Sequence, residues 1–239
     1  RPAPTRDWCS KPEVAVYALY IGNKNYSSWS LRLWALLTEL GIAFEERLVP
    51  FEPGGSPSFR RFSPSGRVPC LVDGDTVVWD SLAIVEYVGE DHPRVWPEDR
   101  RARAWARSAA AEMHSGFGEL RSRCSMSVGV RVALHEVGPA LRGDLDRMSA
   151  LWQDGLRRFG GPFLAGARFT AADAFFAPVA FRAQTYGLTF GADQDAYAKR
   201  LLGVPTLRRW QAEALAERFQ DEDHERRLLA KLGRMVAGT

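Results

Sequence analysis

Cysteine is scarce in this chain. Only Cys9, Cys70 and Cys124 occur among 239 residues. The count is odd and no pair forms C-x-x-C, so neither a disulfide framework nor a zinc site is indicated, and a reducing compartment, the cytoplasm, is expected. The four histidines, His92, His114, His135 and His224, are scattered without metal-ligand spacing. No apolar run reaches about 18 residues, so no membrane-spanning helix is expected. Residues 1–13 (RPAPTRDWCSKPE) lack the apolar stretch of a secretion signal and read as an irregular N-terminal extension. Net charge is small, +3. No Lys/Arg cluster interleaved with aromatics marks a nucleic-acid face, so neither nucleic acid nor membrane is an expected partner. Repeats and low-complexity tracts are absent.

What is present suits two small domains. The hydrophobic share of 46% is enough for real cores. Charge is unevenly divided: residues 14–90 carry 6 Lys/Arg against 9 Asp/Glu, and residues 91–239 carry 23 against 18. Two domains of different composition explain this without a charged partner.

The first part alternates strand and helix. Val14–Ile21 is an apolar run of strand length. Gly22–Tyr26 is a loop. Trp29–Leu40 places Leu33, Leu36, Leu37 and Leu40 on one helical side, and Gly41 stops it. Phe44–Val49 is a second strand, parallel to the first because a helix joins them. A short helix is expected at Ser58–Phe62. Cys70–Val72 and Thr76–Trp79 flank Asp73–Gly74, a hairpin turn signal. Asp80 caps a further helix. The order β-α-β-α-β-β-α is that of a thioredoxin-like domain, residues 14–90. Asp91–Pro97 reads as a linker. Residues 98–239 read as all-helical, with helices over Arg101–Arg123, Val130–Phe159 (with a break possible at Gly138–Pro139), Ala171–Ala183, Asp193–Leu202 and Pro205–Ala216.

Three motifs carry chemistry. Asp80–Ser81 opens a helix, where free N–H groups and positive potential favour a carboxylate; Ser81 adds a hydroxyl and Asp80 an acceptor for an ammonium group. That pairing fits the α-end of an amino acid, although an aspartate there can also be a plain cap. Val68–Pro69 precedes a strand, where an exposed backbone can pair with a peptide as an added strand; the same dipeptide is also an ordinary turn. Tyr26–Ser27–Ser28–Trp29–Ser30 opens the first helix. A serine hydroxyl there can donate to a thiolate and lower the thiol's pKa, or merely cap the helix. In this order the three describe loops able to hold one peptide-like thiol.

With these motifs in hand, the chain resembles the cytosolic glutathione transferases over residues 14–239. Ser27-Ser28-x-Ser-x-Arg32 is similar to the Ser-Ser-Cys-Ser-Trp-Arg stretch of the zeta class. The resemblance implies an α/β thioredoxin-like N-terminal domain plus an all-α C-terminal domain. It implies that Ser27 or Ser28 activates glutathione, that Val68, ahead of Pro69, binds its cysteinyl backbone, and that Asp80–Ser81 binds its γ-glutamyl end. Ser27 is the expected activating hydroxyl, with Ser28 capping or orienting; Tyr20, at the end of the first strand, is a further candidate. Thr170-Ala-Ala-Asp173 resembles the family's N-capping box and is structural. Trp29 replaces the zeta-type Cys, which departs from the isomerase and glutaredoxin-like patterns. The implied activity is attack of the glutathione thiolate on a small apolar electrophile held near Tyr26, Trp29, Met113 and Phe117, with glutathione as co-substrate and no other cofactor or metal. Glutathione-dependent isomerisation or ether cleavage, and a non-catalytic binding module, are the alternatives. A homodimer is implied, with Arg101–Arg123 as the expected interface helix.

Overall fold

The computed structural model describes residues 17–52, 55–219, 221, 224–226 and 233–235. The expected extension at residues 1–13, with Cys9, lies outside them.

The N-terminal unit is built on a four-stranded sheet in the order β2-β1-β3-β4. Strand β1 (Tyr17–Ile21) pairs in parallel with β2 (Phe44–Leu48) through helix α1 (Ser28–Leu40). Strand β3 (Cys70–Asp73) runs antiparallel to β1, with Tyr20 opposite Cys70. It forms a hairpin with β4 (Thr76–Trp79). Helix α2 (Ser81–Asp91) follows. The expected helix at Ser58–Phe62 is a 3-10 turn at Pro57–Arg61.

The 2-residue period of β1 decides which side chains reach the core. Tyr17, Leu19 and Ile21 are buried, as are Leu33, Leu36 and Leu37 on α1. Each such aliphatic side chain contributes about 1.5–3 kcal/mol. Tyr20 points to the other face and stacks on Phe62, with ring centroids 4.2 Å apart.

Strand direction brings three chain segments to one edge. The C-terminal end of β1, the start of β3 and the end of β4 coincide there, because Tyr20, Cys70 and Trp79 are register partners in turn. The loop into α1, the Val68–Pro69 step and the first turn of α2 therefore meet. All three motifs lie at that edge.

After the 3-10 turn at Pro93–Val95 the chain is mainly helical. The expected helix Arg101–Arg123 is two helices, α3 (Arg100–Ser115) and α4 (Gly118–Arg123). At Gly116 a β-carbon would lie 2.8 Å from the Glu112 carbonyl oxygen, and Phe117 takes a left-handed φ of 55°. The chain turns there despite continuous helical spacing. The expected helix from Val130 begins instead at Pro139 (α5, Pro139–Phe159), where proline fits the first helical turn. Val132–Leu134 is strand β5, paired with β6 (Gly233–Met235). Helices α6 (Ala171–Tyr186), α7 (Ala192–Gly203) and α8 (Pro205–Ala216) complete the unit. Helix α6 is buried along nearly its whole length and packs against both α1 and α3, so it joins the two units. Among the described residues no helix is long and apolar enough to cross a membrane.

Candidate functional site

The loop ahead of α1 is held from three sides. Lys24 is buried, with its ammonium between Glu46, at 2.7 Å, and Glu213, and over the Trp34 ring. Asn23 accepts from the Phe51 N–H at 2.8 Å. Asn25 accepts through its side chain from the Gly129 N–H, also at 2.8 Å. This loop fixes where α1 begins.

The two serines then differ. Ser27 is the N-cap; its Oγ accepts from the Ser30 N–H at 3.4 Å and donates to Ser30 Oγ at 2.7 Å, and it is buried. Ser28 is half-buried, and its Oγ accepts from Arg182 Nη2 at 3.3 Å. Tyr20, on the far face of β1, reaches neither.

Val68 is half-buried and its bond to Pro69 is cis. Among the described residues its N–H and C=O make no hydrogen bond, although β3 begins two residues on. An unpaired backbone at a strand start is the requirement for strand addition.

Asp80 caps α2, accepting from the Leu82 N–H at 2.8 Å. Its backbone φ is 73°, a left-handed conformation that costs a non-glycine residue about 1–3 kcal/mol. Strain of this kind concentrates at functional sites. The other carboxylate oxygen lies 3.4 Å from His114 Nε2, and the side chain stays largely exposed. Ser81 is buried, and its Oγ accepts from Arg32 Nη1 at 3.2 Å.

Of the cations around these groups, only Arg32 stands in a sequence motif; Arg121, Arg182 and His114 do not. Arg32 is buried between the rings of Trp29, at 4.1 Å, and Phe175, at 4.6 Å, and its Nε has no partner among the described residues. Burial, then the charges of Arg182 and Arg121, lower its pKa to about 9, with Asp80 opposing. Arg182, also buried, donates to the Cys124 carbonyl at 2.7 Å; burial lowers its pKa to about 10. Arg121 lies 5.2 Å from the Trp29 ring. His114 packs edge-on against Trp29, and burial holds its pKa below the usual value. The guanidiniums of Arg32 and Arg121 thus flank Trp29, that of Arg182 lies at Ser28, and Asp80 is a carboxylate acting on Arg32.

The expected electrophile residues separate. Trp29 is at the site. Met113 has no exposed surface and Phe117 is buried, and both pack into the core between helices. Tyr26 turns toward the C-terminal segment: its hydroxyl donates to Glu225 at 2.7 Å and accepts from the Asp221 N–H at 3.1 Å. A cavity of about 470 Å³ lies at the other end of α1, lined by Leu40, Trp96 and Phe169 among others. Of the motif residues only Thr170, from the structural capping box, lines it, and the convergence of polar groups, not volume, locates the candidate site.

Residues 26–91 match the model of the glutathione S-transferase N-terminal domain, and residues 98–212 that of the C-terminal domain. The chain belongs to the glutathione S-transferase family. A zeta-class glutathione S-transferase of Euphorbia esula is 29% identical over 174 residues, covering 71% of this chain and 75% of the relative. A probable maleylacetoacetate isomerase of Vibrio cholerae is 28% identical over 197 residues, covering 76% and 89%. Among solved structures, a glutathione transferase homologue from Burkholderia with bound glutathione superposes with a TM-score of 0.62 at 24% identity, covering 84% of this chain and 99% of that one. At that identity the likeness establishes the fold. The transferase fold accounts for the two-unit architecture, and the zeta-class relative accords with the Ser-Ser motif.

Proposed function

We propose that this chain binds glutathione at the shared edge of β1, β3 and β4 and presents its thiol as a thiolate to a small apolar electrophile. The observation that carries this is the convergence of three recognition features. They are the unpaired Val68 backbone, the Asp80–Ser81 start of α2, and a serine at the start of α1 beside guanidiniums that lack a paired carboxylate among the described residues. Val68 suits the cysteinyl peptide, and Asp80–Ser81 suits the γ-glutamyl ammonium and carboxylate. The serine at α1, assisted by the helix N-terminus, suits the sulfur. Glutathione is a co-substrate, and the reading requires no other cofactor.

Glutathione-dependent isomerisation is the second reading. The similarity to a probable maleylacetoacetate isomerase favours it, and Trp29 in place of the zeta-type Cys opposes it. Turnover on a panel of electrophiles and isomerisable substrates separates the two. Saturable glutathione binding without turnover on either supports a non-catalytic module.

The exposed Trp79 and Val77 on edge strand β4 support a two-fold homodimer. The buried free thiols of Cys70 and Cys124 support a reducing cytoplasm, and attack of a thiolate on apolar electrophiles would serve detoxification there.

Calorimetry tests the binding site. Ser81→Ala removes a charge-assisted hydrogen bond worth about 1.5–3 kcal/mol, roughly 10- to 150-fold in Kd. Equal glutathione affinity in the wild type and a folded Ser81→Ala protein refutes the assignment.

A further inference from the structure

The hydroxyls at the start of α1 are not equivalent in what they have left to give. Ser27 spends its proton on Ser30 Oγ at 2.7 Å, and Ser30 Oγ also receives the Gly22 N–H at 3.1 Å. Ser27 is only 5% exposed. Ser28 is half-buried, and its Oγ is an acceptor, from Arg182. Among the described residues nothing accepts the Ser28 proton. A hydroxyl with one lone pair occupied by a guanidinium and its O–H unspent is a donor polarised by a cation.

Among the described residues no carboxylate pairs with Arg182, which is a buried charge. The groups that act on it are Arg121, Tyr186 and Cys124. The others at the site are Arg32 on α1, His114 on α3 and Asp80 at the cap of α2, and Asp80 sits against His114. Burying unpaired guanidiniums costs several kcal/mol each. The Nε of Arg32, 3% exposed and without a partner, belongs to the same uncompensated cluster. Such an arrangement suits an anion that arrives from outside.

We infer that Ser28 meets the glutathione sulfur and that Arg182 is its positioning residue, holding Ser28 Oγ as an acceptor so that its proton donates to the thiolate. This rests on the glutathione reading given above. The thiol loses its proton to bulk water, Ser28 keeps its own, and no bond to carbon changes. Arg182, Arg121, Arg32 and the α1 N-terminus all favour the ionised sulfur; Asp80 opposes them.

The test is a pH titration of thiolate absorbance of bound glutathione, with binding checked by calorimetry and folding by thermal melting. Ser28→Ala and Arg182→Gln are each expected to raise the bound thiol's pKa by roughly one unit, the size of a nearby charge or hydrogen-bond effect. The double variant is expected to shift by less than the sum, because Arg182 acts partly through Ser28. Arg182→Lys, which keeps the charge, should restore part of the shift. A residue that merely supports the fold would change melting and leave the titration in place. If Arg182→Gln does not fold, the comparison of Ser28→Ala with Ser27→Ala decides. Glutathione bound by Ser28→Ala with the wild-type titration, or a larger shift in Ser27→Ala, overturns the inference while the binding site stands. No saturable binding to the wild type overturns both.

Discussion

Asp173→Asn probes the interior of the helical unit, and its effect depends on pH in a defined direction. Asp173 is fully buried in the first turn of α6. It accepts the Leu164 N–H at 3.1 Å, the Thr170 N–H at 2.9 Å, the Thr170 hydroxyl at 3.2 Å and the Tyr197 hydroxyl at 2.9 Å. Burial outweighs these donors and raises its pKa to about 6 from 3.8. An acid whose native pKa lies above its unfolded value binds more protons when folded. It stabilises the fold most below pH 3.8, and that contribution is lost as pH rises through about 6. The total is about 3 kcal/mol at roughly 1.36 kcal/mol per unit. Asparagine keeps one acceptor, turns an N–H₂ toward donors, and has no such titration. Two orphaned buried donors, less the relieved charge burial, give a loss of about 2 kcal/mol at pH 7. At pH 5 the wild type has regained about half of its titrating contribution, so the loss grows by about 1.4 kcal/mol. Denaturant unfolding of both proteins at pH 5 and pH 7 measures this difference, and groups common to both cancel. A loss that shrinks or stays constant on acidification refutes the reasoning.

Other expectations follow from packing and assembly. Gly155→Ala places a β-carbon 2.4 Å from the Trp105 ring and 2.7 Å from the Leu164 carbonyl oxygen, so thermal unfolding should show a loss of about 1–3 kcal/mol. Lys24→Ala strips the cation from Glu46 and Glu213 and should cost about 2 kcal/mol, less than a fully buried pair because both glutamates are partly exposed. A denaturation midpoint unchanged from the wild type would contradict it. Light scattering should give twice the 26.7 kDa chain mass, and Trp79→Asp should lower it. A wild-type monomer at micromolar concentration counts against the homodimer.

The strand–helix order was legible because the periods are clean. Leu33, Leu36 and Leu37 mark one face of α1, and Asp73–Gly74 marks a hairpin that forms where expected. The turn between α3 and α4 was not, because Phe117 and Leu120 continue the helical spacing and only the glycines Gly116 and Gly118 hint at a stop. Strand β5 was hidden for a similar reason: its partner, Gly233–Met235, lies about a hundred residues away. At the site, the motif loops could be placed, since strand direction forces them to one edge. The different hydrogen bonding of Ser27 and Ser28 could not, because it depends on Arg182 reaching across from α6. One signal was available: Arg182 is the single charged side chain in the last thirteen residues of an otherwise apolar and neutral helix. A lone arginine amid Phe175, Phe176, Phe181 and small residues is a buried charge in need of a purpose.

The most direct measurement is the pH titration of thiolate absorbance for glutathione held by the wild-type protein. Free cysteine thiols ionise near pH 8.5. A serine donor, the α1 N-terminus and the guanidiniums beside Trp29 should bring the bound thiol down by about a unit or more, with a signal that saturates in glutathione. A bound thiol that titrates as free glutathione does, or no saturable signal at all, contradicts the proposed function.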